Sequence, residues 1–264
     1  MIEMAYKVFG QGQPIIIIHG LYGMSDNWLP FAKRVQSQYR VYLVDVRNHG
    51  SSPHTETHTY EDICSDILLF LKNHNIEKAT LMGHSMGGKA AMLFALQNPE
   101  RVSSLIIVDI APVNYQSQMC DSQIYNHSDI IKAMLKLEVG KIKNRTEAEV
   151  SLNQYVDDIR TTRFLLKNLV KTEEGYRWRL NLKTLQSFLT NIVAGFDSKN
   201  LEPVTLFPVL ALKGSNSNFI TYEGEKAICK YFPLAKIVTI KGAGHWLHAE
   251  KPDEFYETVN SFLN

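Results

Sequence analysis

Along this chain, short apolar runs alternate with stretches whose apolar residues recur every three or four positions. The runs at residues 5–9, 15–18, 41–44, 80–82, 105–108, 209–212 and 237–240 predict strands. The later runs are β-branched and do not alternate with polar residues, which suits parallel strands buried on both faces. Between them, residues 27–37, 60–74, 86–97, 222–231 and 252–263 carry helical patterns. The clearest is 60–74, where Thr59 is placed to cap the helix and Ile63, Ile67, Phe70 and Leu71 share one face. Strand and helix in alternation, with mostly short links, predict a doubly wound, mostly parallel α/β sheet. In such sheets ligands bind beyond the carboxyl ends of the strands.

The rhythm breaks between residues 112 and 203. That region shows no convincing strand, several helical patterns (128–137, 147–171 and 182–193) and more charge. The chain therefore divides into an α/β core, 1–111 and 204–264, and an inserted helical cap, 112–203, laid over the active face. A cap excludes water and shapes a pocket.

Composition narrows the class. The chain has 264 residues, 45% of them hydrophobic, enough to bury one large core. Its formal net charge of +1 and the lack of a basic stripe argue against a nucleic-acid partner. The longest apolar stretch near the start, 15–18, is too short for a signal-peptide core or a membrane span. Cys64, Cys120 and Cys229 are widely separated and odd in number. A disulfide framework is disfavoured, and a reducing, cytoplasmic setting is expected. His49, His54 and His58 share a loop that has no Cys and no metal-binding helix motif, so no metal is expected there.

Residues 79–88 read ATLMGHSMGG: an apolar run, then Gly-His-Ser-Met-Gly, then a helical pattern. That context turns a common pattern into a nucleophile elbow, with Ser85 on a tight strand-to-helix turn flanked by Gly83 and Gly87. A serine hydroxyl needs a base within reach, and the base needs an orienting partner. The last strand run is followed by Lys-Gly-Ala-Gly-His-Trp, whose glycines free His245 to return over the sheet edge as the base. His84 sits inside the elbow and points elsewhere, His19 is structural, and His248 is expected to support the His245 loop by hydrogen bonding. A carboxylate is usual after the 209–212 strand, but none occurs there before Glu223; Ser217 stands where it is expected. One strand earlier, the 105–108 run ends in Asp109, which reaches the same imidazole from the neighbouring strand. Asp109 is therefore assigned as the acid, and Ser217 either bonds the Asp109–His245 pair or is an ordinary turn serine. Two donors to an oxyanion are expected from the main-chain N–H groups of Leu21, after His19-Gly20, and Met86.

Tyr22, Trp178 and Trp246 are candidates to line the substrate pocket. Trp178 alternatively packs the cap onto the body. Arg47 and Asn48 either contact substrate or brace the active face, with Arg47 paired to a carboxylate.

These features resemble the α/β-hydrolase fold over nearly the whole chain. Within it, HGLYG at 19–23, DVRNHGSSPH at 45–54, GHSMGGK at 83–89, VDIAP at 108–112, RWRLN at 177–181 and GSNSNF at 214–219 resemble YbfF-type esterases and their mitochondrial abhydrolase relatives. In that group the acid follows the earlier strand and a serine stands near the usual acid site. The resemblance implies a Ser-His-Asp esterase for short- to medium-chain acyl esters or acyl thioesters, with no cofactor. Carbon–carbon bond hydrolysis, acyl transfer and a non-catalytic ligand-binding role are the alternatives on the same scaffold.

Overall fold

The computed structural model describes residues 1–115, 127–156, 158–173, 175–196 and 201–264. Cys120 lies outside the described residues. The core elements are β1 (Tyr6–Phe9), β2 (Gln13–Ile18), α1 (Leu29–Val35), β3 (Tyr39–Val44), α2 (Tyr60–Asn73), β4 (Ala79–His84), α3 (Met86–Gln97) and β5 (Val102–Val108). A long insertion follows, with α4 (His127–Lys136), α5 (Arg145–Leu152), α6 (Ile159–Leu166), β6 (Leu169–Thr172), β7 (Gly175–Trp178), α7 (Leu182–Ser187) and α8 (Leu189–Ala194). The chain then returns through β8 (Val209–Gly214), α9 (Tyr222–Tyr231), β9 (Lys236–Ile240), α10 (Leu247–Glu250) and α11 (Pro252–Leu263).

Seven strands form one sheet in the order β1-β3-β2-β4-β5-β8-β9. Only β1 runs antiparallel, at the edge against β3. The apolar runs fill both faces, as non-alternating patterns require. Ile16, Ile18, Leu81 and Ile107 face one core with α2, α3 and the insertion; Ile15, Ile17, Met82 and Ile106 face the other with α1 and α11. Thr59 caps α2, its side chain accepting the Asp62 N–H while the Asp62 carboxylate accepts the Thr59 N–H.

The insertion departs from the sequence expectation in two places. The 147–171 helical pattern is two helices: Asp158 accepts the Arg160 and Thr161 N–H groups and so starts α6 afresh. The region is also not strand-free. β6 and β7 pair as a hairpin, Leu169 opposite Trp178 and Thr172 opposite Gly175, whose φ of +128° suits the turn. Four-residue strands are too short for periodicity to reveal.

Candidate active site

The site forms where β2, β4, β5, β8 and β9 end. Ser85 follows β4 with φ +53° and ψ −121°, a backbone region that side chains avoid. The two flanking glycines are sterically required. A Cβ at Gly83 would lie 2.2 Å from the Gly87 carbonyl oxygen, and one at Gly87 would lie 2.3 Å from that of Ile18. The turn is therefore as tight as an elbow needs, and it leaves Ser85 at the N-terminus of α3.

Asp109 follows β5, also at positive φ (+50°), and is fully buried. Its Oδ1 accepts the Gly214 N–H at 3.0 Å, and its Oδ2 accepts His245 Nδ1–H at 2.8 Å and the Ser217 hydroxyl. Three donors on one carboxylate hold it in a single orientation. They also place the imidazole proton on Nδ1 and the Nε2 lone pair toward the cavity. Ser217 comes from the loop after β8, and its Oγ further accepts the Phe219 N–H at 3.3 Å. The Phe219 ring stacks on His245, centroids 3.9 Å apart. Glu250 fastens the His245 loop by accepting the Gly244 and Trp246 N–H groups.

Ser85 and His245 line one cavity of about 490 Å³. Leu21 and Tyr22 form its wall on the β2 side, Phe164 and Ile130 on the insertion side. Tyr22 is placed at the cavity, its hydroxyl donating to the His127 carbonyl. Trp246 lines it too, against Phe164 at 5.4 Å. Trp178 does not. Its indole N–H donates to the Met134 carbonyl and the half-buried ring packs against the core, because an indole removed from water needs an acceptor for its N–H. Met86 is the first residue of α3, where an N–H has no partner within the helix. Leu21 lies in the turn closed by the Gly23 N–H to the Gly20 carbonyl.

Other histidines are structural in different ways. His84 reaches the His245 carbonyl through Nε2 at 2.9 Å. His248 stacks on Trp28 at 4.1 Å, and its Nδ1 has no hydrogen-bond partner among the described residues, so the support found for it is the stacking. Burial pushes His248 down to about 3 and His127 to about 4, so both are neutral near pH 7. His19 Nε2 accepts the Val46 N–H, and His49 Nε2 accepts the Tyr22 N–H; together they seat the loop after β2.

Arg47 braces the face. It makes a two-bond pair with buried Asp66, 2.8 Å on each arm, and a further ion pair with Asp62. Asn48 bonds Thr55, Thr57 and Asn181, tying this loop to the insertion. His127, Phe164 and Phe219 were not singled out in the sequence. Phe219 was readable within the 214–219 motif, whereas His127 and Phe164 carry no local signal.

The alpha/beta hydrolase fold model matches residues 13–252. A solved marine microorganism esterase superposes with a TM-score of 0.94 at 40% identity, covering 99% of this chain and 100% of that one. The chain is 38% identical to mouse sn-1-specific diacylglycerol lipase ABHD11, over 94% of this chain and 80% of the relative. It is 33% identical to Esterase YbfF of Escherichia coli K12, over 95% and 93% respectively. Family model, sequence relatives and superposition agree on the fold, and the chain belongs to the α/β hydrolase fold family.

Proposed function

We propose that this protein is a serine carboxylesterase acting on short- to medium-chain acyl esters or thioesters. His245 Nε2 takes the Ser85 proton as Oγ attacks the ester carbonyl. The Leu21 and Met86 N–H groups hold the oxyanion. The imidazolium, held by Asp109, then protonates the leaving group, and water hydrolyses the acyl-enzyme by the same steps. Ser217 acts on Asp109, fixing the carboxylate that orients the base. The insertion, residues 112–203, serves as the cap over an α/β core of 1–111 and 204–264.

One observation carries this reading: Ser85, on its strained turn, shares a cavity with an imidazole bonded to Asp109 at 2.8 Å. Tyr22 and Trp246, with Phe164, are the proposed acyl contacts, and 490 Å³ lies within the ~300–1,000 Å³ typical of small-molecule sites. A small-molecule acyl ester or thioester is the only partner this reading requires. Among the described residues, no helix is long and apolar enough to cross a membrane.

The test is turnover of p-nitrophenyl esters from acetate to dodecanoate beside Ser85→Ala. Turnover that disappears in the variant, with a short- to medium-chain optimum, is expected. Wild-type turnover retained by Ser85→Ala refutes the assignment.

A further inference from the structure

Lys89 is an ionisable side chain on α3, where every residue from Met86 to Leu96 is buried. It is 2% exposed, one turn after Ser85 on α3, and no carboxylate bonds it among the described residues. Its Nζ donates to the Val113 carbonyl at 2.9 Å and to the Val193 carbonyl at 3.0 Å. Val113 lies where the insertion leaves β5, and Val193 lies on α8, near where it returns. Nζ also lies over the Tyr115 ring, 4.6 Å from its centroid. Gly195, at φ +91°, makes the room: a Cβ there would meet Lys89 Nζ at 2.8 Å.

Tyr115 carries the contact onward. Its hydroxyl accepts the Ala111 N–H at 2.9 Å and donates to the Phe219 carbonyl at 2.5 Å. Ala111 is two residues past Asp109, and Phe219 is the residue stacked on His245. Burial pushes Lys89 down to about 7. The contact survives deprotonation, because a neutral amine keeps two N–H donors for two carbonyls.

We propose that Lys89 is a positioning residue for the active site. By clasping both ends of the insertion and seating Tyr115, it fixes the 109–115 segment and the Phe219 ring that together hold the Asp109–His245 pair. A methionine of similar length would fill the space but leave both carbonyls unbonded.

The proposal rests on the esterase reading, so the test uses one measurement that needs no substrate. The downfield proton resonance of His245 Nδ1–H reads the pair directly. In Lys89→Met this resonance is expected to shift or broaden, and kcat on p-nitrophenyl acetate to fall at least tenfold with KM changed less than threefold. Tyr115→Phe added to Lys89→Met is expected to cost less than twofold more in kcat, because both act through one chain of contacts. A folded Lys89→Met whose resonance matches wild type refutes the proposal, as do kcat losses that multiply in the double variant. A residue that only stabilises the fold lowers Tm and leaves the resonance in place. Should Lys89→Met fail to fold, Tyr115→Phe cuts the same chain of contacts at Ala111 and Phe219 and is read by the same resonance: displacement supports the proposal, and identity with wild type overturns it. Wild-type protein without ester turnover removes the esterase reading while the resonance still decides the role of Lys89.

Discussion

Replacing Asp109 with asparagine isolates the electrostatic part of the proposed triad, because the shape is conserved. Oδ1 accepts the Gly214 N–H, and Oδ2 accepts His245 and Ser217. Asparagine must place its NH2 on one side. Toward Gly214, two buried donors face each other, and each unpaired donor costs about 1–3 kcal/mol. Even ~2 kcal/mol disfavours that orientation about 30-fold. Toward His245, the NH2 demands an acceptor at Nδ1, which moves the ring proton to Nε2. Nε2 then presents N–H to Ser85 and cannot take its proton. Ser217 escapes by rotating its hydroxyl to accept. The wrong tautomer therefore dominates, and the roughly one-thirtieth that keeps the right one lacks the negative charge that stabilises the imidazolium; together turnover is expected to drop ~10⁴-fold, as in the worked serine-protease case, or about 5–6 kcal/mol of barrier. The assay is kcat on p-nitrophenyl butyrate, with circular dichroism to confirm an unchanged fold. A loss of only a few-fold would place the acid elsewhere, with Glu223 in the first turn of α9 the first residue to test.

Ser217→Ala removes one of three donors from Asp109 and leaves His245 bonded. A roughly threefold to tenfold loss of kcat is expected from one net hydrogen bond of ~1 kcal/mol, and a full loss would show that Ser217 does more than orient the carboxylate. Arg47→Met strands the Asp66 carboxylate, which is fully buried, and should cost about 3–5 kcal/mol in urea unfolding; an unchanged midpoint would contradict a buried pair. Burial holds His58 and His248 near 3 and His127 near 4, below the 6.5 of an unfolded chain. The unfolded chain then binds more protons in that window, so stability is complete above about pH 7 and falls as pH drops below 6.5, each histidine adding up to ~1.4 kcal/mol per pH unit. Urea midpoints unchanged from pH 7 to pH 5 would show that these histidines titrate normally.

The seven strands of the main sheet lie where their apolar runs fall, most plainly the five inner ones, because strands buried on both faces carry a signal that surface detail cannot mask. Ser85, Asp109 and His245 were legible for a related reason: each follows a strand, and parallel strands deliver their ends to one edge. Ser217 was legible only as a serine at a vacant position; its bond to Asp109 needs the β5–β8 pairing to be seen. The β6–β7 hairpin was hidden by its length. Trp178 illustrates another limit, since an indole near a pocket in sequence is drawn to whichever carbonyl burial offers. His248 is a similar case, its ring held by Trp28, a partner some 220 residues away. The position of Lys89 inside an apolar helical pattern was visible, but its two carbonyl partners lie at the far ends of an insertion that spacing does not connect.

Placing the carboxylate after β5 has a consequence for modularity. The polypeptide that leaves Asp109 is the same one that enters the insertion, so the proposed acid and the proposed cap share a covalent root. In the proposed triad the loop after β8 carries no reacting group and contributes the Ser217 hydroxyl to Asp109. A chimera that exchanges the insertion between relatives therefore has its natural upstream junction beyond Tyr115, not at the end of β5. Cutting at the strand would transplant the footing of the proposed acid along with the insertion.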